Sequence, residues 1–247
     1  MCSVTFWPKG RNYRLAMNRD ELRSRVAALP PSVHEVYGRR VLHPREPGGG
    51  TWINLNDAGI TLALVNGYAE TARAPAPVAS RGGVVLAART ADQPDQVTVL
   101  VGALPLAQMN PFRLIGIFPG TGTVHEWRWN RVALTARSHP WAPRQWISSG
   151  FDEAGARRAR SGVFQRCREA ADAGSEAWLH RLHASHEPMR GPYSTCMHRA
   201  DAATVSYTEI ESFHGRQVMR YRSGSPCGCG MLISTDLTQA ANSGWRR

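Results

Sequence analysis

Lysine is almost missing from this chain. Lys9 stands alone among 30 basic residues, so arginine carries the formal net charge of +11. The arginines are scattered, with pairs such as Arg39-Arg40 and Arg157-Arg158 but no long basic tract. A nucleic-acid-binding surface concentrates its charge on one face or stripe, so this pattern argues against nucleic acid as a partner. It suits small anionic substrates instead, because guanidinium groups pair bidentately with carboxylates and phosphates. Long apolar runs are missing too. None approaches the roughly 18–20 residues of a membrane span, and Arg11, Arg14, Arg19, Asp20 and Glu21 interrupt any secretory signal. The expectation is a cytoplasmic protein without a membrane span. Cysteine is scarce and odd in number: Cys2, Cys167, Cys196, Cys227 and Cys229. An odd count with no secretory signal argues against a disulfide framework. Cys227-Gly228-Cys229 lacks both the spacing and the second half of a zinc knuckle, so a mobile tail is expected there and no metal.

What is present fits one domain. The 247 residues, 42% hydrophobic, are ample for a sizeable core. Residues 2–7 alternate, with Cys2, Val4 and Phe6 on one face and Ser3, Thr5 and Trp7 on the other, which predicts a strand. A turn at 8–12 leads to a second strand at 13–18. Residues 27–47 are Pro-rich and read as loop. A second hairpin spans Gly48 to Asn66, with its turn at 56–59. After an Ala/Pro-rich loop at 69–80 come helices at 82–91 and 94–104, then strands at 112–118 and 123–129. Helices are expected at 152–172 and 175–185, and strands at 193–198, 203–210 and 216–222, followed by a loose tail over 223–247. Two sheets with helices outside them, as one domain over 1–247, fit this order.

The first hairpin carries chemistry. A loop at Gly10-Arg11 makes paired positions sum to 21, which sets Cys2 across from Arg19. Directly opposed residues share a face with Cβ atoms roughly 4.5–5.5 Å apart. A slip by one residue pairs Cys2 with Asn18 or Asp20, so each register puts the thiol beside the Asn-Arg-Asp cluster. A guanidinium neighbour favours the thiolate. If Met1 is removed, Cys2 also gains an α-amine with a reference pKa of about 7.7–8.0, suited to a general base. The second hairpin adds donors. With its turn centred on Ala58, Asn66 ends near Gly49, where a glycine run can bring N–H groups close to a ligand. The Asn66 amide supplies one more donor for an oxyanion.

Met-Cys at the start, Asn18-Arg19-Asp20-Glu21, Gly-Gly-Thr-Trp at Gly49–Trp52 and Val65-Asn66 together resemble the NRDE family, also called the Transport and Golgi organisation protein 2 family. That family looks like a branch of the N-terminal-nucleophile hydrolases, nearest to N-terminal-cysteine amidases such as penicillin V acylase and bile salt hydrolase. The resemblance implies an α+β fold, a four-layer αββα sandwich of antiparallel sheets with the nucleophile at the start of a central strand. It implies Cys2 as nucleophile and base, Arg19 and Asp20 as the groups holding the amine and substrate carbonyl, and Asn66 as an oxyanion donor. Asn18, Gly49, Trp52 and Arg199 would contact the substrate. The chain departs from the amidases at Trp146-Ile147-Ser148-Ser149-Gly150, with serine where an asparagine is expected.

The resulting expectation is cleavage of an amide or thioester through a Cys2 acyl-enzyme, with no cofactor. The alternative is a non-catalytic carrier of haem or an acyl lipid. Two further clusters are read as structural. His180, His183 and His186 are spaced i, i+3, i+6, which fans them over about 120° of a helix rather than converging them on a metal. Haem ligation by one of these, or by Cys196 or His198, has no support in the spacing. Trp127, Trp129, Trp141 and Trp146 are assigned to packing.

Overall fold

A computed structural model of the protein describes residues 2–238; Met1 and the end of the expected tail, 239–247, lie outside the described residues. The first hairpin joins β1 (Cys2–Lys9) to β2 (Asn12–Leu22) through a two-residue loop, and Gly10 takes φ +61° there, the glycine conformation such a tight turn needs. Cys2 pairs with Arg19, so the register is the one in which paired positions sum to 21.

The 27–47 stretch is not loop. It forms β3 (Leu29–Val36) and β4 (Arg39–Arg45). Pro30 and Pro31 are tolerated because β3 is the sheet's edge and its pairing shifts register between Leu29 and Ser32, where a missing N–H costs no ladder bond. The second hairpin follows as β5 (Ile53–Asn56) and β6 (Thr61–Asn66), centred on Ala58. Helices α1 (Gly82–Ala88) and α2 (Pro94–Gly102) lead to β7 (Phe112–Phe118) and β8 (Thr123–Trp129). Two strands unforeseen in the sequence come next, β9 (Leu134–His139) and β10 (Arg144–Ser148). Helices α3 (Glu153–Cys167) and α4 (Glu176–Ala184) precede β11 (Ala202–Phe213), β12 (Arg216–Ser223) and β13 (Leu232–Asp236). Asp152 and Ser175 cap α3 and α4 by accepting from Gly155 and Trp178 N–H groups. Residues 193–198 are irregular rather than a strand, with one bridge at His198–Ala203. The region expected as a loose tail from 223 contains β13, and Leu237 after it is fully buried.

All ladder pairs between the strands are antiparallel. One sheet runs β10-β1-β2-β11-β12-β13 and the other β3-β4-β5-β6-β7-β8-β9. Val4, Phe6, Leu15 and Met17 of the first sheet meet Leu42, Leu55, Ile115 and Ile117 of the second in the central core. Tyr13 crosses between the sheets, its hydroxyl donating to the Gly59 carbonyl at 2.8 Å. On the outer face of the second sheet, Val84, Val85, Val97 and Val101 of α1 and α2 pack on Leu62, Leu64 and Phe112. On the outer face of the first, Phe164, Trp178 and Leu182 of α3 and α4 pack on Ala16 and Tyr207. The layers are therefore α, β, β, α, as expected. Each fully buried Leu, Ile or Phe contributes on the order of 1.5–3 kcal/mol. Because β1 and β2 are covered on both faces, both parities of their side chains are buried, and the parity decides which side of the sheet each polar group serves.

Candidate active site

Cys2 opens β1 on the face turned to the other sheet. It lies between Arg19 on β2 and Ser148 on β10. The thiol is 7% exposed and borders a cavity of about 240 Å³ whose walls include Arg19, Glu46, Trp52, Asn66, Arg81 and Asn110. Four expected site residues thus converge here: Cys2, Arg19, Trp52 and Asn66. Asp20 also borders the cavity, and its backbone N–H donates to the Cys2 sulfur.

Arg19 is not a free cation. Its Nη2 donates to Glu46 Oε1 at 2.5 Å and lies 3.5 Å from Glu21 Oε2, while the guanidinium sits 4.4 Å over the Trp52 ring. Burial pushes the Cys2 thiol up from its ordinary value. The positive amino terminus opposes that rise, the Asp20 carboxylate adds to it, and the Asp20 N–H and the Arg19 guanidinium oppose it less strongly. Arg19 acts in the expected direction, toward the thiolate, but its effect is smaller than that of burial, so the net direction is upward. Desolvation of the sulfur is the largest contribution, while the guanidinium itself is shared with the Glu46 and Glu21 carboxylates.

Asp20 follows the other parity and turns toward the helices. Thr204 Oγ1 donates to its Oδ1 at 2.6 Å and Arg160 Nη1 of α3 lies 3.3 Å from its Oδ2. Both charged side chains of that pair are fully buried. Arg160 also donates to Ser3 Oγ at 2.9 Å and to the Pro192 carbonyl at 3.3 Å, which ties the start of β1 to the loop after α4.

Asn66 ends β6. Its Nδ2 donates to the Tyr68 hydroxyl at 2.9 Å and its carbonyl accepts from Ser148 Oγ at 2.7 Å. Ser148 therefore braces the candidate oxyanion donor rather than lying in the sequence as an isolated departure.

Three expected substrate contacts are corrected. Asn18 has the parity of Asp20, and its Nδ2 donates to the His183 and Thr195 carbonyls at 2.9 and 2.8 Å, behind the sheet. Gly49, at φ +91°, donates its N–H to the Glu46 carbonyl at 2.8 Å. It shapes the turn that delivers Glu46 to Arg19 and lies off the cavity wall. Arg199 pairs with Asp201 at 2.8 Å and stacks 4.9 Å from Phe151, also away from the cavity.

Glu46 and Arg81 line the cavity as well, without having been expected there. Arg81 precedes α1 and reaches the cavity because Gly50 and Gly82 touch backbone to backbone: a Cβ on Gly82 would meet Gly50 Cα at 2.9 Å. The signal available was the pair of glycine clusters at 48–50 and 82–83, which allow two loops to approach.

Of the three helical histidines, His183 is fully buried, with Nε2 2.9 Å from Thr5 Oγ1, and burial lowers its pKa to about 3. His180 packs on Tyr207. His186 leaves them and joins Cys196, His198 and Cys227 in a separate cluster, the one grouping of metal-ligand type among the described residues.

The Transport and Golgi organisation 2 family matches residues 1–125 of the 247. The chain belongs to that family. Beyond its family, the chain shares its fold with solved structures of an acylase and a hydrolase. Penicillin V acylase from Agrobacterium tumefaciens is similar with TM-score 0.54 at 10% identity, covering 97% of this chain and 87% of that one. A cysteine-to-alanine mutant of conjugated bile acid hydrolase from Clostridium perfringens is similar with TM-score 0.59 at 8% identity, covering 96% and 93%. An arginine-to-leucine variant of the same hydrolase gives 0.58 at 9%, with the same coverage. At such identity the likeness is one of fold. No curated protein matches the chain.

Proposed function

We propose that the protein is an N-terminal-cysteine hydrolase of a small amide or thioester, with Cys2 as nucleophile once Met1 is removed. The observation that carries this reading is the position of Cys2, at the start of a central strand, beside Arg19 and open to a cavity that also holds the Asn66 amide. In the mechanism, the free α-amine of Cys2 takes the thiol proton and the sulfur attacks the carbonyl carbon. The oxyanion is held by Asn66 Nδ2, which swings from Tyr68, and by backbone N–H groups. The ammonium then protonates the leaving amine or thiolate, leaving an acyl-enzyme. Water, deprotonated by the same amine, cleaves the thioester and frees the acid. Asp20 holds the ammonium and Arg19 orients the sulfur. Arg81 gives the cavity a cation for a substrate carboxylate or phosphate.

The penicillin and bile-acid hydrolases named above support the class of reaction through their shared fold. The cavity, at about 240 Å³, lies below the roughly 300–1,000 Å³ of sites for drug-sized ligands, so a short acyl group fits better than a haem. The carrier reading is favoured by burial of the thiol, which pushes it above its ordinary value. Intact mass decides between them first. Loss of Met1 together with an acyl adduct on Cys2 from a thioester probe is expected. A mature protein that retains Met1 lacks the base, and the hydrolase reading fails.

A further inference from the structure

Behind the sheet, on the side away from the cavity, His186, Cys196 and His198 of the loop after α4 converge with Cys227 from the connection between β12 and β13. His198 Nε2 lies 3.2 Å from His186 Nε2, 3.4 Å from Cys196 Sγ and 3.4 Å from Cys227 Sγ. All four atoms lie within 4.8 Å of one another. Hydrogen bonding does not account for this arrangement. An imidazole Nε2 carries either one proton or one lone pair, so it satisfies one of three such neighbours. A tetrahedral zinc with Zn–N near 2.0–2.1 Å and Zn–S near 2.3 Å sets its ligand atoms roughly 3.3–3.8 Å apart. The two sulfur separations to His198, 3.4 Å each, fall within those edges, and the 3.2 Å to His186 is just under them.

We propose that His186 Nε2, Cys196 Sγ, His198 Nε2 and Cys227 Sγ bind one zinc ion in a closed, four-ligand structural site. The donor set is the argument for the metal. Two thiolates and two imidazoles in tetrahedral array select zinc over calcium or magnesium, which take oxygen ligands. Each zinc bound displaces one proton from each thiol, so the site is neutral overall and needs no carboxylate. The Arg190 guanidinium, 3.3 Å from His198 Nδ1, turns away on binding, because metal on Nε2 leaves the ring proton on Nδ1.

The backbone already holds the ligands in place. Cys196 N–H donates to the Ser185 carbonyl at 3.0 Å and His198 N–H to the Gly191 carbonyl at 3.2 Å. The Cys227 turn is clasped by Arg222, whose Nη1 donates to the Pro226 and Gly228 carbonyls at 3.0 and 2.6 Å. The ion would join the loop after α4 to the connection between β12 and β13. That loop also supplies the Thr195 carbonyl to Asn18 and the Pro192 carbonyl to Arg160. The site therefore braces the rear of the Asn-Arg-Asp strand without touching the cavity, and it stands whether or not Cys2 is a nucleophile.

The test is metal content of the full chain purified under reducing conditions with zinc supplied. About one zinc per chain is expected, with a fall in Tm on chelation. Cobalt exchanged into the chelated protein should show thiolate-to-cobalt absorption in the near ultraviolet and tetrahedral visible bands. Cys227→Ser, at an exposed position, should fold and lose the zinc and the thiolate band, while Cys229→Ser keeps both. Only traces of zinc in the wild type, equal zinc in Cys227→Ser, or a Cys196–Cys227 disulfide in the zinc-supplied protein would each overturn the proposal.

Discussion

The sulfur at position 2 and the sulfurs at 196 and 227 are held in opposite ways. Cys2 owes its setting to neighbours close in sequence: a hairpin of two residues' loop brings Arg19 across from it. Cys196 and Cys227 are 31 positions apart and meet only because α4, β11 and β12 are packed where they are. The first sulfur faces a cavity, and burial pushes its thiol above the ordinary value. The second pair faces the imidazoles of His186 and His198. A thiol poised for attack needs an open side and a base, whereas a structural metal needs all its sides closed by ligands.

Replacing Cys2 with Ala separates the two most strongly. Hydrolysis and probe labelling at that position should drop by about three orders of magnitude or more, with bound zinc unchanged. Persistent labelling would move the nucleophile elsewhere. Next, Arg160→Met removes one partner of the buried pair with Asp20, a change worth about 3–5 kcal/mol in other buried pairs and read here by urea unfolding. Because Arg160 touches Ser3, Asp20 and the Pro192 carbonyl, it is the bridge between the sites. A loss under about 1 kcal/mol would show that they are mechanically separate.

Acid should act through His183, which supports Thr5 from behind β1. Its folded pKa, about 3, is depressed below the usual 6.5. The unfolded chain therefore binds the extra proton between those values, and stability is lost as pH falls from 6.5 through about 3. The slope reaches about 1.4 kcal/mol per pH unit. His183→Gln should remove that part of the slope, measured as unfolding free energy against pH. The smallest effect is expected from Glu46→Gln. It removes a negative charge from Arg19, so the Cys2 thiol pKa falls and the midpoint of its alkylation rate moves to lower pH. No movement would mean that Arg19 does not act on the sulfur.

Much of the fold could be read from residue order. Alternation at Cys2, Val4 and Phe6 marked β1, and glycine and asparagine marked both hairpin turns. Prolines misled where β3 lies at an edge, since the cost that normally excludes proline from strands vanishes there. β10 was masked by its mixed polar and aromatic content, although it supplies Ser148 beside Cys2. Of the candidate site, Cys2, Arg19, Trp52 and Asn66 were legible. Glu46 and Arg81 were not, because they reach the cavity through loops whose approach depends on the contact between Gly50 and Gly82.

The sequence by itself determined that Cys2 lies beside the Asn-Arg-Asp cluster, because every register of so short a hairpin puts it there, and the two-residue loop selects Arg19 as its partner. The tertiary structure decided what that pairing is worth. Burial raises the Cys2 thiol above its ordinary value, and the carboxylates of Glu46 and Glu21 engage the guanidinium beside it. It also decided that His186, Cys196, His198 and Cys227 meet at all, since contacts between distant segments are set by packing and carry no local signature.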